Sequence, residues 1–216
     1  MKNEMIKALD EHKLVLILRG IPDEKLIPVV QALYDGGIRF VEITYRPDGA
    51  VSDEHTAANI KRLAEHFAGK MYIGAGTVLK PELVQLTKDA GGQFIVSPDA
   101  DPAVIRETVR CGLMSIPGAL TPTEIKAAHD NGADFVKLFP AKIMGTEYVK
   151  QIVAPLPHIK LLAVGGIDES NIGEYLKAGC RGFALGAGIA GKDLVAAGNY
   201  AAITENAKRY IAALNA

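Results

Sequence analysis

The sequence predicts an α/β protein of the (β/α)8 TIM-barrel class. Short apolar runs recur along the 216 residues, and a longer stretch of helical character follows each of them. Eight such strand–helix units in about 200 residues correspond to the small end of the size range of closed barrels. Regular alternation of strand and helix implies right-handed crossovers and a parallel sheet, for which an open doubly wound sheet is the alternative arrangement.

The strand candidates are short runs rich in apolar and β-branched residues. In chain order they are LVLIL from Leu14, IRFVEIT from Ile38, MYIGA from Met71, QFIVS from Gln93, LMSIP from Leu113, DFVKLF from Asp134, KLLAV from Lys160 and GFALG from Gly182. Active sites of barrel enzymes gather at the carboxyl ends of the strands. The residues that end these runs are therefore the candidates for function.

The stretches between the strands carry helix start and stop signals. PELVQLTKDAG, DPAVIRETVRCG and TPTEIKAAHDNG each open with an N-capping residue or an early proline. Each ends at a glycine, which we expect at the C-cap. No linker, low-complexity tract or charge run divides the chain, so we expect a single barrel domain over residues 1–216.

Composition excludes several classes of function. The formal net charge is −1, so no basic field is available for nucleic acid or anionic lipid, and an anionic ligand must be held by local positive groups. Cys111 and Cys180 form no CxxC pair, which favours reduced thiols. Because we also find no secretory signal and no apolar run of about 18–20 residues, we expect a cytoplasmic protein with a small-molecule partner.

The run GADFVKLFPAK places one lysine, Lys137, in the sixth predicted strand. Side chains alternate along a strand, so Phe135, Lys137 and Phe139 share one face, and both faces of a barrel strand are covered. Desolvation lowers the pKa of a lysine, and a neutral amine can attack a carbonyl group to form a Schiff base. We expect Lys137 to be catalytic; a lysine that reaches the barrel mouth or forms a structural ion pair is the alternative.

Glu42 lies in the middle of the second predicted strand, in RFVEITYRP. A carboxyl group among apolar neighbours has a raised pKa and suits acid–base catalysis, and a structural ion pair with a lysine is the alternative. Two arginines follow strands: Arg46 is four residues beyond Glu42, and Arg19 stands in ILRG. Each could bind a substrate carboxylate through two hydrogen bonds, or could simply face solvent.

Glycines follow the last two predicted strands, in AVGGIDESN and ALGAGIAG. Barrel enzymes commonly bind phosphate there with backbone N–H groups, which predicts a phosphate site at Gly165, Gly166, Gly186 and Gly188. Glycines needed only for tight turns are the alternative. The five histidines lie away from strand ends, and no cluster has metal-ligand spacing, so we expect neither a metal nor a cofactor.

These motifs together resemble the 2-keto-3-deoxy-6-phosphogluconate/4-hydroxy-2-oxoglutarate aldolase family, the small class I pyruvate aldolases. The resemblance covers nearly the full chain. It rests on VEITYRP, IGAGTVLKPE, FIVSP, IPGALTPTE, VKLFPA and AVGGI in the expected order and spacing. Each motif is weak alone, and the set is specific.

The resemblance implies a role for individual residues. Lys137 matches the Schiff-base lysine, and Glu42 matches the carboxylate that transfers protons. The residues that match substrate-contacting positions are Arg46 and Thr77 for the pyruvate carboxylate, Pro98 and Phe139 in the pocket wall, and Gly165 and Gly166 in the phosphate site. The resemblance also implies cleavage to pyruvate and an aldehyde without a metal, and assembly as a homotrimer.

The sequence departs from the family pattern in two places, at Val164 and in the last phosphate loop. Val164 replaces the threonine usual in phosphogluconate members and resembles the phosphogalactonate branch. Arg46, however, is usually absent from that branch. The serine of the last phosphate loop is missing, and Ala187 and Gly188 stand there instead. Which epimer is cleaved therefore stays open at this level.

Two other functions remain possible from the sequence. One is a phosphate-binding barrel without lyase activity, and the other is a sugar-phosphate epimerase or isomerase. Neither needs an imine, so the lysine in an apolar strand together with a buried glutamate favours the aldolase.

Overall fold

The computed structural model describes residues 2–186 and 188–215. Within them the helices are α1 Lys2–His12, α2 Asp23–Asp35, α3 Asp53–His66, α4 Pro81–Asp89, α5 Pro102–Arg110, α6 Pro122–Asp130, α7 Ala141–Val153, α8 Ile172–Ala178, α9 Lys192–Ala197 and α10 Tyr200–Leu214. The strands are β1 Leu14–Leu18, β2 Phe40–Thr44, β3 Tyr72–Gly76, β4 Phe94–Val96, β5 Met114–Ile116, β6 Gly118–Ala119, β7 Val136–Leu138, β8 Leu161–Val164 and β9 Gly182–Leu185. The predicted alternation is confirmed.

The strands form one parallel sheet in the order β5-β4-β3-β2-β1-β9-β8-β7-β6. The two outer members of this order, β5 and β6, are consecutive in the chain and are separated only by Pro117. The main chain bridges the gap, because Lys137 N donates to the carbonyl of Pro117 at 2.8 Å and Ser97 N donates to Ile116 at 3.2 Å. The ring thus closes, which confirms the barrel and argues against an open doubly wound sheet.

The fifth predicted strand, LMSIP, differs from the expectation. Only β5 lies within it, because Pro117 has no N–H group for the strand ladder, and the two-residue strand β6 follows directly after Pro117. When β5 and β6 are counted as one bent strand, the barrel has eight strands.

The core has an inner and an outer layer. Strand residues that point inward, such as Phe40, Phe94 and Phe135, fill the barrel together with Met5 and Leu9 of α1. Residues that point outward pack between the sheet and the helices in a larger cluster. The amphipathic N-terminal helix therefore closes the amino end of the barrel, and the opposite end stays open.

The helix starts follow the expected capping chemistry. Asp101 accepts a hydrogen bond from Ala103 N at the start of α5, and Thr121 forms a reciprocal capping box with Glu124 at the start of α6. The predicted glycine C-caps are wrong by one residue. The caps of α4, α5 and α6 are Ala90, Cys111 and Asn131. The glycines follow them with left-handed φ angles, at Gly91, Gly112 and Gly132.

Among the described residues, no helix is both long and apolar enough to cross a bilayer.

Candidate active site

A cavity of about 950 Å3 opens at the carboxyl ends of the strands. It brings together most of the residues that the sequence singled out, which are Arg19, Thr77, Pro98, Lys137, Phe139, Val164, Gly165, Gly166, Gly186 and Gly188. They come from loops and strands that are up to about 170 residues apart in the chain, and barrel closure makes them neighbours. Two predicted residues, Glu42 and Arg46, do not line this cavity.

Lys137 lies on the floor of this cavity. The middle position of β7 points it into the barrel, and the residue is only 9% exposed. Its Nζ lies 4.9 Å from the centroid of the Phe139 ring. Burial lowers the pKa of the lysine, Arg19 lowers it further, and Glu42 acts in the opposite direction. The amine therefore loses its proton more easily than an ordinary lysine, which is what nucleophilic attack requires.

Glu42 lies in the barrel wall, at the centre of β2. It faces inward between Phe40 and Thr44 and is 2% exposed. Burial raises the pKa of its carboxyl group to about 7, although the positive charges of Lys137 and Arg19 act to lower it. Its Oε2 atom is buried without a hydrogen-bond partner. A carboxyl group that titrates near neutral pH can both accept and return a proton during turnover.

Gly76, at the end of β3, provides the space for this carboxylate. A Cβ atom at Gly76 would lie 2.2 Å from Glu42 Oε1 and 2.7 Å from Glu42 Cδ. Gly76 is not among the site residues predicted from the sequence, although it lies in the IGAGTVLKPE motif. The need for a glycine at position 76 depends on the pairing of β2 with β3, which places Thr44 beside Gly76.

We expect Gly76→Ala to reduce catalysis by at least about tenfold, because the added methyl group would displace the Glu42 carboxylate. Overpacking of this kind usually costs about 1–3 kcal/mol of folding stability. Steady-state rates and urea unfolding of the variant would separate the two effects. Gly173→Ala is the matched control, since a Cβ at Gly173 has no neighbour within 4 Å. Wild-type turnover in Gly76→Ala would contradict the steric role.

Arg19 and Thr77 form a polar pair on the cavity wall. Arg19 Nη2 donates to Thr77 Oγ1 at 3.1 Å. Thr77 has a φ of 57°, which is rare for a β-branched residue and costs on the order of 1–3 kcal/mol. Strained backbone of this type concentrates at functional sites. The pair fixes one cation of the cavity beside the reactive lysine.

Arg46 lies in a smaller neighbouring cavity of about 290 Å3. Its Nε and Nη2 atoms donate to the two carboxylate oxygens of Asp48 at 3.1 and 2.7 Å. Gly20 lines both cavities, and a Cβ there would lie 3.4 Å from Arg46 Nη1. The guanidinium therefore borders the main cavity while Asp48 holds it from the other side. Its contact with a substrate stays a prediction.

The glycine loops after β8 and β9 form the opposite part of the cavity. Gly165 and Gly166 have φ angles of 94° and 76°, a region that favours glycine. A Cβ at Gly165 would lie 3.3 Å from the Phe139 ring, so the loop packs closely on the strand that carries Lys137. Gly188 is similarly constrained by the Tyr210 hydroxyl, 2.2 Å from its hypothetical Cβ. Ala187 lies outside the described residues.

In the part of the chain that the structure describes, no three His, Cys, Asp or Glu side chains are grouped so that they could hold a metal ion.

Known proteins share this chain's sequence and fold. The family model described as KDPG and KHG aldolase matches residues 5–206. A protein of Rhizobium meliloti (strain 1021), a probable 2-dehydro-3-deoxy-6-phosphogalactonate aldolase, is 38% identical over 180 residues, which cover 83% of this chain and 82% of that protein. A 2-dehydro-3-deoxy-phosphogluconate aldolase of Treponema pallidum (strain Nichols) is 34% identical over 173 residues, or 80% of this chain and 79% of that protein.

Solved structures give the same result. A structure described as native KDPGal superimposes with a TM-score of 0.83 at 34% identity and covers 94% of each chain. A KDPG aldolase from Legionella pneumophila, with pyruvate captured at low pH as a covalent carbinolamine intermediate, has a TM-score of 0.84 at 26% identity. That match covers 94% of this chain and 96% of the other. The chain belongs to the KDPG and KHG aldolase family and is accordingly an aldehyde-lyase.

Proposed function

We propose that this chain cleaves a 2-keto-3-deoxy-6-phospho sugar acid of the gluconate or galactonate type to pyruvate and glyceraldehyde 3-phosphate. Cleavage of 4-hydroxy-2-oxoglutarate to pyruvate and glyoxylate belongs to the same proposal. The observation that carries it is the buried amine of Lys137 on the cavity lining, with its lowered pKa, together with the buried carboxyl group of Glu42 in the barrel wall, whose pKa is about 7.

The proposed reaction needs only these two groups and water. The neutral Lys137 amine adds to the C2 carbonyl of the keto acid, and loss of water gives an iminium ion. Glu42 accepts the proton of the C4 hydroxyl group, the C3–C4 bond breaks, and its electron pair moves into the iminium ion to give an enamine and the aldehyde. Protonation of the enamine at C3 and hydrolysis release pyruvate and restore the lysine.

Positive side chains hold the keto-acid carboxylate in this proposal. Arg19 is already directed into the cavity by Thr77. Arg46 can contribute where it borders Gly20, either through its Nη1 atom or by leaving Asp48. Pro98 and Phe139 provide the apolar walls that exclude water around the imine.

The proposed substrate range follows from Val164, which ends β8 and lines the cavity. A valine offers no hydroxyl group to the C4 oxygen, so the discrimination between epimers should be weak. We expect cleavage of both the phosphogluconate and phosphogalactonate epimers, with measurable activity on 4-hydroxy-2-oxoglutarate. Comparison of kcat/KM for the three substrates tests this. A preference above about 10³-fold for the gluconate epimer would show that Val164 does not determine specificity.

The assembly and location of the protein are also part of the proposal. We propose a homotrimer, supported by the exposed apolar side chains of Phe139, Ile143 and Met144 in the segment that follows β7, among which Ile143 is 80% exposed. Sedimentation equilibrium would test this, and a monomer would contradict it.

A cytoplasmic location is supported by Cys111 and Cys180, which are buried and unpaired, and burial raises the pKa of Cys180 to about 12. Cell fractionation tests the location.

The two other functions have less support. A phosphate-binding barrel without lyase activity has no use for a buried lysine of lowered pKa, and neither has a sugar-phosphate epimerase or isomerase. Family membership of residues 5–206 favours the lyase over both.

A further inference from the structure

The charges that line the main cavity have one sign. Among the described residues its lining contains three cations, Arg19, Lys137 and Lys192, and no aspartate or glutamate. The whole chain has a formal net charge of −1, so this local excess is a property of the cavity alone. A cavity of about 950 Å3 is also far larger than a three-carbon keto acid needs. Its charge and size both fit a longer ligand with more than one anionic group.

In the proposed reaction, Arg19 and Lys137 contact the keto-acid end of such a ligand. Lys192 is then the remaining cation of the cavity lining without an assigned role. This lysine is the first residue of α9, and it lines the cavity together with Gly186 and Gly188. Its side chain is exposed, and within residues 2–186 and 188–215 the ammonium group takes part in no hydrogen bond or ion pair. The fold therefore gives its ammonium group no structural partner.

The helix that begins with Lys192, α9, is held in place by a lysine of α2. Lys25 Nζ donates to the carbonyl oxygens of Val195 and Ala196 at 3.0 and 2.6 Å, at the end of α9. Lys25 is thus a lysine with a structural role, in contrast to Lys192 on the same helix. The position of Lys192 at the cavity edge is defined by these contacts and by the buried side chain of Val195.

We infer that Lys192 binds the terminal phosphate of the substrate and selects phosphorylated over unphosphorylated keto acids. The inference rests on the proposed function for the identity of the ligand. A phosphate monoester carries about −1.5 to −2 charges, and a lysine ammonium binds it as a point charge through up to three N–H donors. Backbone donors of the glycine loops can orient the phosphate, but they are uncharged. Lys192 supplies the charge.

Binding of glycerol 3-phosphate, measured by titration calorimetry, tests the inference without any turnover. We expect Lys192→Gln to weaken binding about tenfold, as loss of a charge-assisted hydrogen bond does. Lys177→Gln is the matched control, because Lys177 is an exposed lysine that does not line the cavity. It should bind like the wild type. Unchanged affinity in Lys192→Gln, equal losses in both variants, or no binding by the wild type would overturn the inference.

Steady-state kinetics then separate phosphate recognition from catalysis. Lys192→Gln should raise KM for 2-keto-3-deoxy-6-phosphogluconate about tenfold at unchanged kcat, and should change both constants less than about twofold for unphosphorylated 2-keto-3-deoxygluconate. Equal increases in KM for the two substrates would overturn the role. Trapping of pyruvate by borohydride does not involve the phosphate, so it tests the proposed function separately. A wild-type protein that fails to trap pyruvate contradicts the proposed function. The calorimetric result still decides whether Lys192 binds phosphate.

Discussion

Lys137→Met should abolish cleavage, with a loss of at least about 10⁴-fold in kcat/KM, because the proposed iminium ion forms on the buried Lys137 amine. Methionine has a similar length and carries no charge, so the variant should fold at least as stably as the wild type. Burial of the lysine has a desolvation cost that the thioether does not have. Treatment of the wild type with pyruvate and borohydride should inactivate it irreversibly and leave a reduced three-carbon adduct at Lys137. Peptide mass mapping checks the position.

Lys142→Met is the matched control for this experiment. The Lys142 side chain packs against Gly166 near the cavity, but it does not line it. This variant should keep both the adduct at Lys137 and most of the activity. An adduct on another lysine, or substantial turnover in Lys137→Met, would disprove the proposed mechanism.

Glu42→Gln should keep the fold and lose about 10²–10⁴-fold in kcat, since this is the usual contribution of acid–base catalysis. Trapping of pyruvate should also become slower, because loss of water from the carbinolamine uses a proton donor. The control is Glu24→Gln at the start of α2, which removes a carboxylate that does not line the cavity. Near-normal turnover in Glu42→Gln would reduce Glu42 to a structural partner of Lys137.

The pH dependence of cleavage gives an independent test of Glu42. Proton abstraction from the C4 hydroxyl group requires the ionised carboxylate. Since burial raises its pKa to about 7, the ionised fraction and the rate should fall about tenfold per pH unit below that value. A carboxyl group with an ordinary pKa of about 4.3 would show no loss between pH 7 and 5. Protonation of the Lys137 amine lowers the rate of both the wild type and Glu42→Gln, so the difference between their rate profiles in that interval distinguishes the two cases.

The sequence by itself determined the fold class, and it singled out Lys137 and Glu42 as the candidate reactive pair. Strand and helix signals are local, because period-2 apolar runs and capping residues act over a few positions. Lys137 and Glu42 could be recognised because each interrupts an apolar strand, where a charged group needs a special reason. The family motifs added the order of the strands, and membership is confirmed over residues 5–206.

Only the tertiary structure decided which side chains meet. The pairing of β2 with β3 makes Gly76 the residue that leaves space for Glu42, and the pairing of Arg46 with Asp48 turns that arginine toward a separate cavity. Lys192 enters the site from a helix that no strand-end rule selects. These contacts join residues far apart in sequence, so they depend on strand register and barrel closure. Short-range patterns contain no information about either.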